Sequence, residues 1–198
     1  HYDAPLDMRM SQSGTSAFDV VNQYSYEQLS KILFEFGEEK FSHKIASNIV
    51  KSREVKPIET TLQLADIVKD SIPAKFRREK NPCKKTFQAI RIEVNSELSI
   101  LNKAIEDGVN KLNKGGRMAI ITFHSLEDRI VKKAFKEVSE VEGNRHAPVL
   151  LPSEEKRPSY HLVNRQVITA CEEELEYNPR SKSAKLRIIE RIDENDER

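Results

Sequence analysis

The segment Arg117-Met-Ala-Ile-Ile-Thr-Phe123 constrains this chain most, because it is a short apolar run after a long stretch of helical periodicity. Met118–Ile121 are apolar at every position, with no polar alternation. That pattern suits a strand buried in a parallel sheet, with neighbours on both edges and layers on both faces. Tyr160–Thr169 and Ala184–Ile192 alternate well enough to be two further strands. Three strands are too few for a well-covered doubly wound sheet. The chain is therefore expected to hold one part of an α/β sheet, interrupted by a helical insertion.

The insertion reads as helices. Residues 1–25 are expected to be an extended arm, since Pro5 restricts Ala4 and Ser11–Ser16 is polar. Leu29, Ile32, Leu33 and Phe36 mark one face of a helix from Tyr26, with Gly37 as its stop. A second helix is expected from Glu38-Glu39 through Val50. Thr60-x-x-Gln63 is a capping box that opens a third, ending before Pro73. The stripe Phe87, Ile90, Val94, Leu98, Leu101, Ile105 and Leu112 predicts one long helix from Thr86 to Leu112. Ser125-Leu-Glu-Asp128 has capping-box spacing and starts a helix with Leu126, Ile130, Val131, Ala134, Phe135 and Val138 inward. A polar loop with Pro148, Pro152 and Pro158 follows, and Asp193–Arg198 is expected to fray.

Composition removes several classes. No apolar run exceeds the four residues Met118–Ile121, far below the roughly 20 of a membrane helix. No charged-then-apolar leader is visible, and a start at His1 hints at a piece of a longer protein. Lys and Arg total 33 against 32 acids, so any nucleic-acid surface must come from local clustering. Cys83 and Cys171 cannot build a disulfide framework or a metal knuckle, and they suit a reducing, cytoplasmic setting. The histidines show no ligand spacing, so no metal site is expected. The six glycines include no G-x-G spacing, so no phosphate loop is expected from these residues.

Two places could carry chemistry. Ligands of open α/β sheets bind beyond the carboxyl ends of the strands, which is where Phe123-His124-Ser125 falls. A phenyl ring there can stack on a base, a histidine can meet a polar edge, and a helix start can hold an anion. The same residues also read as a core ring, a turn residue and a cap. Residues 75–85, KFRREKNPCKK, concentrate Lys75, Arg77, Arg78, Lys80, Lys84 and Lys85 against the single acid Glu79. They read as a phosphate-binding patch interleaved with Phe76, or as a solvated loop. Asp3, Asp7 and Arg9 on the arm are weakly specific by themselves. Asn178-Pro-Arg-Ser181 lacks the second proline and the aromatic of the Asn-Pro-Pro-aromatic pattern, so only Arg180 is kept, as a phosphate contact.

The segments APLDMRM, FGEEKFSHKIASNIV, KKTFQAIRIEVNSEL, GGRMAIITFHSLEDRIVKKAF and NPRSKSAKLRIIER occur in order between residues 4 and 191. Together they resemble the bacterial 16S rRNA cytosine-N4 methyltransferase family. The resemblance implies an α/β fold: a partial class I, Rossmann-like methyltransferase core with a helical insertion domain. Residues 1–18 and 114–198 would belong to the core and residues 19–113 to an rRNA-recognition insertion. The implied donor is S-adenosylmethionine. The implied acceptor is the N4 amine of a cytidine in the decoding region of 16S rRNA, within the small ribosomal subunit. Phe123, His124, Ser125 and Asp7 become candidates for the rim of the acceptor pocket, and no catalytic residue is assigned. Arg9, Lys84, Lys85, Arg91 and Arg180 become candidate RNA contacts. The family's cofactor loop and first strands have no counterpart here, so a C-terminal piece, inactive alone, is expected. An RNA-binding module without catalysis and a self-pairing homodimer remain alternatives.

Overall fold

The computed structural model describes residues 3–77, 81–140 and 159–192. The chain divides into two units, His1–Glu97 and Leu98–Arg198. The basic residues Arg78 and Lys80, the proline-bearing loop and the C-terminal tail lie outside the described residues.

The first unit is helical. Its elements are α1 (Ala17–Gln23), α2 (Tyr26–Glu35), α3 (Ser42–Val55), α4 (Thr61–Ser71), the single turn α5 (Ala74–Arg77) and α6 (Lys84–Asn95). The arm is non-helical only as far as Ser16. That residue caps α1, accepting from the Asp19 N–H while the Asp19 carboxylate returns to the Ser16 N–H. Ala17, Val20 and Val21 are buried by this extra helix. The Thr60–Gln63 box opens α4 as the spacing predicts. The arm leans on the start of α4: the Leu6 N–H donates to Glu59 O at 2.9 Å and the Thr61 N–H to Ala4 O at 2.9 Å. Leu6 joins a core of Leu29, Leu33, Ile45, Ile49, Leu64, Val68 and Ile90.

Three helix boundaries differ from expectation. The second helix starts at Ser42, not Glu38, because the Glu39 carboxylate turns inward and accepts from the Phe41 N–H at 3.0 Å. Gly37 does not stop α2 through a left-handed turn; Glu38, at φ 48°, takes that conformation. Gly37 instead lets two backbones approach, since a Cβ there would lie 2.6 Å from Leu33 O and 2.9 Å from Lys85 O. The expected 86–112 helix breaks at Ser96, which adopts φ 50°. The Asn95 side chain diverts to Arg91 O and Met8 O, each at 2.9 Å. A polar side chain that bonds backbone competes with continuation of the helix, a contest that apolar periodicity does not register.

The second unit holds most of α7 (Glu97–Lys111), then β1 (Arg117–Thr122), α8 (Ser125–Ser139), β2 (Tyr160–Leu162), β3 (Ile168–Thr169), α9 (Glu172–Tyr177), a 3-10 turn Pro179–Ser183 and β4 (Lys185–Arg191). The fold class is α/β as expected, but among the described residues every strand pairing is antiparallel. β4 is the hub: β1 pairs with it from Arg117↔Glu190 to Thr122↔Lys185, and β2 and β3 also pair with it. The expected single strand 160–169 is split because Asn164 occupies the ladder. Its Oδ1 accepts from the Ile188 N–H at 2.8 Å and its Nδ2 donates to Leu186 O at 3.1 Å. One face of the sheet packs Met118, Ile120, Leu162 and Ile189 against Ile105, Val109, Val131 and Phe135. On β1 the opposite positions, Ala119 and Ile121, are exposed, so this strand is not covered on both faces among the described residues. The acidic residues Glu172, Glu173, Glu174 and Glu176 between β3 and β4 lie in α9.

Candidate functional site

The β1–α8 turn is built by one reciprocal cap. The expected capping box at Ser125 sits one residue earlier: His124 is the N-cap and Glu127 its partner. The Glu127 N–H donates to His124 Nδ1 at 3.4 Å. The Glu127 carboxylate oxygen Oε2 accepts from the Phe123 N–H at 2.8 Å and from the His124 N–H at 3.3 Å. The backbone donors proposed for an external anion at Phe123 and His124 are thus filled by the protein's own carboxylate. Burial raises the Glu127 carboxyl pKa, but the His124 side chain and the Phe123 N–H outweigh it and hold the group below its ordinary value.

This cap has a consequence for His124. An acceptor at Nδ1 places the ring proton of neutral histidine on Nε2. Nε2 is buried and has no hydrogen-bond partner among the described residues. It lies 3.3 Å from Glu127 Oε1, an approach that becomes an ion pair only when the ring is protonated. Nε2 therefore faces the Glu127 carboxylate, and the His124 side chain is one of the causes that hold that carboxyl low. Phe123 is 56% exposed beside it. The neighbouring Ser125 begins α8.

Beneath the turn, Asp128 is nearly buried and ties α8 to β4. Arg187 donates to it through Nε at 2.8 Å and Nη2 at 3.2 Å, and Lys185 Nζ approaches at 3.4 Å. Burial raises the Asp128 carboxyl pKa, while the Arg187 hydrogen bonds and the two cations lower it further, so the net shift is downward. This pair fixes the first turn of α8, and with it the direction of His124.

The remaining expected site residues are divided between the two units. Asp7 and Arg9 lie in the first unit and bind each other, Nε to Oδ1 at 2.7 Å and Nη2 to Oδ2 at 2.8 Å. The Arg9 hydrogen bonds hold the Asp7 carboxyl down at about 2. Arg91 is gripped by Glu97 at 2.8 and 3.0 Å. Lys85 Nζ donates to Glu38 O at 2.7 Å. Lys84 is exposed at the start of α6, and Arg180 is exposed in the 3-10 turn of the second unit. Neither Lys84 nor Arg180 makes an ion pair among the described residues.

Sequence reasoning underused Phe76. Its ring is 49% exposed. It stacks obliquely on Phe41, centroids 5.5 Å apart, with Lys75 Nζ 4.9 Å from its centre. Its position inside a basic run was the available signal; its partner Phe41, far away in sequence, was not foreseeable.

The described residues do not fit a nucleotide-like cofactor by themselves. The paired glycines, Gly115 and Gly116, are spent on a turn. The Gly115 N–H donates to Arg191 O at 2.8 Å and Gly116 O accepts from the Arg191 N–H at 3.0 Å. No helix of the described residues is long and apolar enough to cross a membrane.

Comparison with known proteins gives the family. Residues 1–192 match the sequence pattern described as the MraW methylase family. The chain is 54% identical over 197 residues to "Ribosomal RNA small subunit methyltransferase H" of Clostridium botulinum (strain Kyoto / Type A2), covering 96% of this chain and 62% of that protein. It is 53% identical over 193 residues to the protein of the same name from Lactobacillus delbrueckii subsp. bulgaricus (strain ATCC BAA-365 / Lb-18), covering 96% of this chain and 61% of that one. The chain spans about three fifths of the length of these relatives. It belongs to the MraW methylase family.

Proposed function

We propose that the protein of which these residues are part methylates the RNA of the small ribosomal subunit, at the N4 amine of a cytidine in the decoding region of 16S rRNA. The donor is S-adenosylmethionine, which supplies an electrophilic methyl group. The described residues do not form its cradle, and no step is assigned to them through it. Their part is on the acceptor side. In the division proposed for the chain, residues 19–113 recognise rRNA and residues 1–18 and 114–198 belong to the methyltransferase core.

The observation that carries this reading is the β1–α8 turn: an exposed Phe123 ring beside His124, whose imidazole is fixed by Glu127. A cytosine has a π-face for the first and polar edges for the second. Placing a base between a ring and a fixed imidazole orients its amine, and orientation is a major part of what a methyl transfer asks of a protein. Asp128 and Arg187 act through the helix start and are positioning residues. The relatives' printed names support the acceptor class, and the ordered motifs support the cytosine amine.

The test is transfer of labelled methyl groups to small ribosomal subunits by a polypeptide of the relatives' full length that contains this chain, followed by nucleoside analysis. N4-methylated cytidine is the expected product. Label in any other nucleoside contradicts the reading. Phe123→Ala is expected to reduce transfer by about tenfold or more, the scale of one lost stacking contact.

A further inference from the structure

A second aromatic site lies in the first unit. Phe76 projects from α5 with about half its surface open. Its ring is backed by Phe41, the N-cap residue of α3. From Phe41 the backbone leads through Lys40 and Glu39 to Glu38, whose carbonyl oxygen holds Lys85 at 2.7 Å. Contacts and chain continuity thus join Phe76 and Phe41 to Lys40, Lys75, Lys84 and Lys85, all four lysines exposed. Of the acids on the same path, Glu39 is withdrawn, its carboxylate buried on the Phe41 N–H, while Glu38 and Asp70 stay exposed, Asp70 facing Arg77 at 3.9 Å. An exposed ring with a lysine over it, in a stretch of chain rich in exposed lysines, suits a single strand of nucleic acid, whose bases stack on aromatics while its phosphates meet lysines.

We propose that Phe76, supported by Phe41, is a stacking platform for an unpaired base of rRNA, with Lys40, Lys75 and Lys84 on the flanking phosphates. Lys75 now occupies space over the ring, and its flexible stem lets it swing aside to a phosphate as the base enters. Lys85 has a structural duty at Glu38 and contributes less. This proposal rests on the RNA-binding reading above and adds a base contact distant in sequence from Phe123. The stack is indifferent to base identity, because every base has a π-face, so the platform fixes the strand's register and leaves the choice of nucleotide to other residues.

The chain has no tryptophan, so Phe76→Trp introduces a unique fluorophore. The 198-residue chain carrying it is titrated with single-stranded oligoribonucleotides from 16S rRNA. Quenching that saturates, and that is absent with a fully paired duplex of the same sequence, is expected. Filter binding of the same oligonucleotide is compared for the wild type, Phe76→Leu and Phe76→Ala, with thermal melts as a folding control. Phe76→Leu keeps apolar packing on Phe41 but removes the ring. It is expected to weaken binding about tenfold, with Phe76→Trp at or above wild-type affinity. Wild-type binding with unchanged affinity in folded Phe76→Leu overturns the platform and leaves the RNA-binding reading standing. No binding by the wild type overturns both.

Discussion

Asn95, the last residue of α6, donates from Nδ2 to the carbonyl oxygen of Met8 at 2.9 Å. Its Oδ1 accepts from the Met10 N–H at 2.8 Å, so one amide brackets the arm on both sides of Arg9. Met8 between them is left-handed, at φ 59°. A non-glycine residue in that region is strained and persists where its surroundings over-determine it. Asn95→Ala is expected to cost about 3 kcal/mol, from three lost hydrogen bonds of about 1 kcal/mol each, with Met8 O, Arg91 O and the Met10 N–H. Urea unfolding measures the loss. Proteolysis near Ser11–Ser13 is expected to accelerate in the same variant, and an unchanged cleavage rate would contradict the bracket.

Gly37 and Gly108 make a paired prediction. Gly37→Ala drives a methyl into two backbone carbonyl oxygens, at 2.6 and 2.9 Å, which cannot turn aside. A loss of about 1–3 kcal/mol is expected. Gly108→Ala meets only the terminal Met118 Cε at 2.8 Å and Sδ at 3.3 Å, the far end of a flexible side chain. Replacing a helical glycine there gains up to about 1 kcal/mol of propensity, so thermal melts are expected to show little change or a small rise. Equal destabilisation by both substitutions would be inconsistent with the packing described.

Asp128 supplies the pH dependence. Its carboxyl titrates below the ordinary 3.8 because the cations of Arg187 and Lys185 outweigh its burial. A folded-state pKa below the unfolded one means that the unfolded chain takes up protons first as pH falls. The stability it contributes is fully present above the ordinary carboxylate range and is lost as pH drops through the folded value. Asp128→Asn strands a nearly buried guanidinium and is expected to cost about 3 kcal/mol near neutrality. Below about pH 4 the gap between variant and wild type is expected to narrow. A gap that stays constant in acid would place the effect elsewhere than in the ion pair.

Much of this fold is legible in the sequence where the cause is local. The Thr60–Gln63 box, the apolar stripe of α8 and the apolar run of β1 lead to elements at nearly the expected positions. The errors have a different origin. The break at Ser96 depends on Asn95 reaching Met8, 87 positions away in the chain. The division of 160–169 depends on Asn164 meeting β4. The cap moved from Ser125 to His124 because an imidazole nitrogen can accept from a backbone N–H as a hydroxyl does. The continuous apolarity of β1 is matched by burial on one face only among the described residues, where its neighbour β4 is antiparallel and Ala119 and Ile121 are exposed. At the candidate sites, the position of Phe123 and His124 followed from strand-then-helix order. The Phe41–Phe76 pair, assembled by packing, did not. Three of the five cations expected to meet phosphate, Arg9, Arg91 and Lys85, are engaged within the protein.

The most direct test of the RNA-gripping role is equilibrium filter binding of the 198-residue chain to a decoding-region fragment of 16S rRNA, repeated across salt concentration. The logarithm of affinity is expected to fall linearly with the logarithm of salt, with a slope of about 0.7 per phosphate contacted for single-stranded RNA. Lys84→Ala is expected to make that slope shallower by about one contact, weakening all sequences alike. A chain that stays folded yet shows no affinity at low salt, or an affinity indifferent to salt, would contradict the assignment of these residues to rRNA.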